Sequence, residues 1–140
     1  MTKAPIHLWI VGILALLWNA IGAFDYTATQ MQMDFYMSQF TQEQLDYFNG
    51  FPAWADAAWA IAVWASLLAS ILLLLRKALA AWLFGLAILA MVVTSVYNFF
   101  LTDGMAVMGE GAMTFTVVIW VIALFLYFYS VAMAKRRVLN

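Results

Sequence analysis

The stretch Pro52-Ala-Trp54-Ala-Asp56-Ala-Ala-Trp59-Ala-Ile-Ala-Val63-Trp64-Ala-Ser66-Leu-Leu-Ala-Ser70-Ile-Leu-Leu-Leu-Leu75, closed by Arg76-Lys77, decides the fold. Apart from Asp56 it is apolar or small throughout. As a helix it rises roughly 36 Å, enough to cross a hydrocarbon core about 30 Å thick with some tilt. It reads as a membrane span. Asp56 lies about one turn inside its start, and an ionisable group at that depth must be solvated, paired or turned toward a bundle interior.

The rest of the chain agrees with this. Of 140 residues, 68% are hydrophobic and only 9% charged, whereas charged residues make up about a quarter of a soluble domain. Four apolar spans are expected at roughly 6–24, 53–75, 78–100 and 113–134, in a single membrane domain. The charges are sorted between the connections. All six basic residues (Lys3, Arg76, Lys77, Lys135, Arg136, Arg137) fall on one side of the spans, and all seven acidic residues lie in or within a turn of the opposite loops. Lys- and Arg-rich short loops stay in the cytoplasm, so both termini are expected inside, and residues 25–52 and 101–112 outside. Asn19 through Asp25 offer no convincing small-x-small cleavage site, so the first span is read as retained. Without cysteine there are no disulfides and no thiolate metal sites.

Each span carries a stripe of small or weakly polar residues. In the first, Gly12, Ala15, Asn19 and Gly22 share a face, where small residues admit a neighbouring helix and Asn19 can bond across the gap. In the second the stripe is Asp56, Trp59, Val63, Ser66 and Ser70, while Trp54, Trp59 and Trp64 step by five residues and fan around the helix, so that some of them face lipid. The third presents Ala87, Met91, Thr94 and Asn98, and the fourth Thr116, Trp120, Ala123, Tyr127, Ser130 and Ala134. Arg76-Lys77 leaves room only for a tight turn, so the second and third spans form an antiparallel hairpin. The fold class is therefore all-α, a four-transmembrane-helix bundle.

The connection 25–52 is too long and aromatic for a plain linker. Thr41 with Gln44 reads as a capping box that opens a short outer helix, ended near Asn49 by Gly50 and Pro52. Its Leu45, Phe48 and Phe51 suit a place in the membrane interface, a reading preferred here to a lid over the bundle. The second outer connection, with Asp103, Gly104, Gly109, Glu110 and Gly111, reads as flexible and solvated. His7 is the only histidine and reads as an interfacial anchor; alone it supports neither a bis-histidine haem nor a histidine metal cluster.

The orientation places Asn19, Asp25, Asp56, Asn98 and Asp103 in the outer third of the membrane or at its edge, amid Trp18, Tyr26, Trp54, Trp59 and Tyr97. Amides and carboxylates beside aromatic faces suit a small neutral polyhydroxylated molecule or a cation, and seven of these, Trp18, Asn19, Asp25, Tyr26, Asp56, Trp59 and Asn98, are the candidate ligand-binding residues. An aromatic belt with ordinary helix-end carboxylates accounts for most of them, and least well for Asp56 and Asn19. No phosphate loop, nucleotide fingerprint, metal motif or nucleophile–base pair is present. Neither an enzyme nor a cofactor is expected, and the few basic residues, explained by topology, give no case for nucleic acid.

The run Leu17-Trp-Asn-Ala-Ile-Gly-Ala-Phe-Asp-Tyr-Thr-Ala-Thr-Gln30, with Phe51-Pro-Ala-Trp54, Trp59-Ala60 and Val63-Trp64, resembles a family of small proteobacterial inner-membrane proteins. The family is mostly uncharacterised, and many members carry an automatic sugar-transporter label. The resemblance implies a bacterial inner-membrane location and four spans. Two functions follow as expectations: a small-molecule transporter or channel subunit, possibly for a sugar or polyol, and a non-transporting accessory or scaffold subunit of a larger membrane complex. Four spans barely enclose a path, so transport is expected to require a homo-oligomer or a larger assembly.

Overall fold

A computed structural model describes residues 2–140. Four helices in it are long and apolar enough to cross a bilayer, and the protein is an integral membrane protein. They are α1 (Ile6–Gln30), α4 (Ala53–Leu74), α5 (Leu79–Val96, continued by a π-helical turn Tyr97–Leu101) and α7 (Ala112–Lys135). Three short helices, α2 (Asp34–Met37), α3 (Gln42–Asn49) and α6 (Gly104–Met108), lie between them. Among the described residues there is no strand.

Local chemistry sets the boundaries. Pro5 and Pro52 occupy the N-caps of α1 and α4, where a missing N–H costs nothing because the first turn leaves it unpaired anyway. The capping box of Thr41 and Gln44 opens α3 as the sequence indicates, with bonds of 3.2 and 3.1 Å. The Arg76 turn is tight, with Arg76 itself in the left-handed region at φ 59°. One boundary differs. α1 runs six residues past Phe24, because nothing between Phe24 and Gln30 breaks a helix and Tyr26 continues the contact with the second span, its ring edge-on to Trp59 at 4.8 Å. Asp25 and Tyr26 are therefore helical rather than part of a loop.

The spans pack in chain order: α4 lies between α1 and α5, and α5 between α4 and α7. The α1–α4 pair is antiparallel in continuous register: Gly12 lies at Leu74, Asn19 at Ser70, Tyr26 at Trp59 and Gln30 at Asp56. Gly12 makes the close approach possible, since a Cβ there would stand 2.5 Å from a Leu74 methyl.

The bundle has two unlike ends. At the end carrying the termini, Leu8, Ala69, Leu73, Phe84, Leu126 and Met133 form a continuous core with Val138 and Leu139 of the tail. Backbone groups bind this end together. Asn140 donates to the Arg76 carbonyl at 2.8 Å, Ala78 to the Asn140 carbonyl at 3.1 Å, and Thr2 to the Arg137 carbonyl at 2.9 Å. The Arg76 guanidinium donates to the Val138 and Thr2 carbonyls. His7 Nδ1 meets the Tyr129 hydroxyl at 2.5 Å and ties α1 to α7.

The opposite end, carrying the loops, is roofed by short helices. α3 lies on α6 through Gln44, whose amide donates to the Val107 and Met108 carbonyls at 3.2 and 3.3 Å. Tyr47 of α3 donates to the Asn98 side-chain carbonyl and sits 2.8 Å from the Thr102 hydroxyl. Gly104 is buried beneath these groups, and a side chain there would collide with the Tyr47 hydroxyl and Asn98. The segment expected to be a solvated loop is thus partly a short helix, buried at Gly104 alone. α3 covers the bundle, because Tyr47 and Phe51 find ring partners in Tyr97 of α5 at 6.1 and 4.8 Å.

Candidate functional site

Beneath the roof the four spans separate around a partly open cavity of about 670 Å³, within the roughly 300–1,000 Å³ range of small-molecule pockets. Its walls run from Phe84 to Phe99 on α5 and from Gly111 to Leu126 on α7, a depth of about 22 Å. The floor rests on the terminal-end core, to which Phe84 and Leu126 both belong. The roof is Tyr36 of the α2 segment, Tyr47 and Phe48 of α3, and Met105 and Met108 of α6. On the side where α1 faces α7, Trp18 and Phe115 bring their rings to 6.2 Å.

The stripes read from the sequence supply the walls. Val63 and Ser66 of α4, Met91 and Thr94 of α5, and Thr116, Trp120 and Ala123 of α7 all line the space. Wall groups that look free in the sequence are largely engaged within the protein. Thr94 donates to the Met91 carbonyl at 3.0 Å and Thr116 to the Ala112 carbonyl at 2.8 Å. Trp120 Nε1 donates to the Ser95 hydroxyl at 3.2 Å. What remains is an apolar and aromatic interior with few unengaged polar groups.

Of the seven candidate residues, Trp18, Asn19, Asp25, Trp59 and Asn98 line this cavity. Tyr26 stands behind Trp59, edge-on to its ring and outside the lining. Asp56 is also outside. It sits in the first turn of α4, where a carboxylate is favoured by the helix N-terminus, and accepts from Gln30 Nε2 at 3.2 Å. Tyr26 and Phe51 each contact the Trp59 ring, and the stripe that begins at Asp56 joins the cavity lining only from Trp59 onward. Asn19 and Asp56 do not meet. Asn19 donates to the Ser70 hydroxyl at 2.8 Å, and Ser70 donates in turn to the Ser66 carbonyl at 2.9 Å. Since Gln30 is the residue beside Asp56, Asn19 lies about 16 Å further down the axis, at mid-span rather than in the outer third.

Asp25 is the only charged residue among the described lining residues. It is half-buried, and the Tyr36 hydroxyl donates to its Oδ1. Burial, and then the hydrogen bond to this carboxylate, holds the Tyr36 hydroxyl far above the usual tyrosine range, so it remains a donor throughout ordinary pH. Every Lys and Arg belongs to the other end of the spans. Tyr36 was not legible as a wall residue, because the 31–40 segment has no periodicity to assign its side chains; the only signal was the density of aromatic residues from Phe35 to Phe40. No family model, curated protein or solved structure matches the chain.

Proposed function

We propose that this protein is a small-molecule transporter or channel subunit of a bacterial inner membrane, with its loop end toward the periplasm and both termini in the cytoplasm. The observation that carries the reading is the cavity of about 670 Å³, walled by all four spans, roofed by short helices and closed at the terminal end. A cavity of that size lined by all four spans suits a small-molecule ligand. The clustering of all six basic residues at the closed end supports the orientation. One chain supplies all four walls of the cavity, and a homo-oligomer or larger assembly stays part of the proposal.

The test is uptake into proteoliposomes over a panel of amines, sugars and polyols, with Gly22→Phe beside the unmodified protein. Gly22 lines the cavity and a Cβ on it meets nothing within 4 Å, so a bulky side chain there starts into open space. Uptake that Gly22→Phe abolishes is the expected result. Absence of uptake across the panel, together with a stable heteromeric native mass, would replace this reading with that of an accessory subunit.

A further inference from the structure

We infer that the ligand of this cavity is a lipophilic organic cation, an aryl or alkyl amine or onium ion, with the Asp25 carboxylate as its counter-charge. The inference rests on the cavity being a ligand site, and three observations select the class.

The first is charge. Asp25 is the one charged group among the described lining residues, and the six basic residues are gathered at the far end of the spans. Its recorded hydrogen bond uses Oδ1, with the Tyr36 hydroxyl as donor. An anion would meet this carboxylate without a compensating cation, whereas a cation supplies the charge that the protein does not.

The second is the state of the other polar groups. Thr94, Thr116 and the Ser95–Trp120 pair are engaged with their own or neighbouring helices, Asn19 with Ser70, and Asn98 with Tyr47. A sugar or polyol needs many paired donors and acceptors, and each hydroxyl left without one carries a desolvation cost. The walls present only a few, the Ser66 hydroxyl, Asn19 Oδ1, Asn98 Nδ2 and the Trp18 and Trp59 Nε1 groups, fewer than the hydroxyls of a polyol demand.

The third is the aromatic and thioether lining. Trp18, Tyr36, Trp59 and Phe115 present rings, and Met91 and Met105 add polarisable sulfur. Such walls cannot replace the hydration shell of a small inorganic cation, which takes oxygen ligands. They do suit a cation whose charge is spread over an apolar body, since desolvation is then mild and the ring faces attract it.

Tetraphenylphosphonium and tetraphenylborate share shape and apolar surface and differ in sign, so together they isolate the charge. Saturable binding of each is measured on the purified full chain in neutral detergent by quenching of tryptophan fluorescence. The unmodified protein is expected to bind the phosphonium at least tenfold more tightly than the borate. Asp25→Asn should weaken the phosphonium at least tenfold and narrow the difference between the ions, Asp25→Glu should restore most of it, and Gly22→Phe should abolish it. Equal affinity for the two ions, or no saturable phosphonium binding by the unmodified protein, would overturn the inference even if Asp25→Asn proved too unstable to study. Unchanged phosphonium binding in Asp25→Asn, with Gly22→Phe still abolishing it, would refute the cation assignment alone. Binding that survives Gly22→Phe would place the probe outside the cavity and overturn the reading beneath it.

Discussion

The same four helices build a sealed half and a hollow half, and side-chain size along their facing stripes makes the difference. Toward the termini, Gly12, Ala15, Ala69 and Ala80 let the helices approach, and Leu8, Leu73 and Met133 fill what remains; all seven are buried. Toward the loops, the inward positions carry Trp18, Trp59, Trp120 and Met91, with α2, α3 and α6 laid across the top. Close approach in membranes depends on small residues because lipid tails compete equally for apolar contact. Helices held together at one end by small residues and hydrogen bonds, and spread at the other by rings, form a cup. What the contrast teaches is that polarity alone does not locate a site in such a protein. Asp56 is the most conspicuous carboxylate in the sequence, yet it sits in the first turn of α4 outside the cavity lining, while Asp25, which the apolar boundary leaves in a loop, faces the hollow.

The contrast can be broken most severely from the sealed side. Leu73 has no exposed surface, and Leu73→Ala is expected to cost about 2–4 kcal/mol through the void it leaves. Val63→Ala, which only enlarges the existing cavity, should cost under about 1 kcal/mol. Thermal unfolding of the two variants in one detergent compares them, and equal losses would mean the two halves do not differ in their internal contacts.

A second comparison uses two glycines on one helix. Gly12→Leu drives a side chain into Leu74 and is expected to cost about 1–3 kcal/mol. Gly22→Phe enters open space and should leave the melting temperature unchanged or raised. The reverse order would place the hollow at the wrong end of α1.

These pairs also show what the sequence could and could not convey. Apolar run length identified the four spans, and helical periodicity identified their inward stripes, because each depends on spacing within one helix. The alignment of one helix against another depends on both chains at once. The relation of Asn19 to Ser70 rather than to Asp56 follows from the α1–α4 register, which rests on the closeness of Gly12 to Leu74 and appears in no single span. The roof was harder still. The Thr41–Gln44 capping box was legible as a helix start, but nothing local says that Tyr47 reaches Asn98 across 51 positions, or that Gly104 is buried beneath them.

The smallest effect is expected at Asp56. Asp56→Asn retains an acceptor for Gln30 and loses only a favourable charge in the first turn of α4, so stability should change by about 0.5 kcal/mol or less, with phosphonium affinity unaltered. A tenfold loss of affinity in this variant would move the site across the rim and undo the contrast between the two aspartates.

The central claim, a hollow half toward the loops and a sealed half toward the termini, is tested most directly by thiol accessibility in a chain that has no cysteine of its own. Single cysteines replace Ser66, which lines the cavity, and Ser130, whose hydroxyl is buried with no protein partner within the sealed half. A small charged methanethiosulfonate reagent is applied from each side of oriented membranes. The cysteine at position 66 should react from the loop side alone and be protected by Gly22→Phe, while that at position 130 should react from neither side. Equal labelling of the two positions, or faster reaction of position 66 from the side of the termini, would contradict the account.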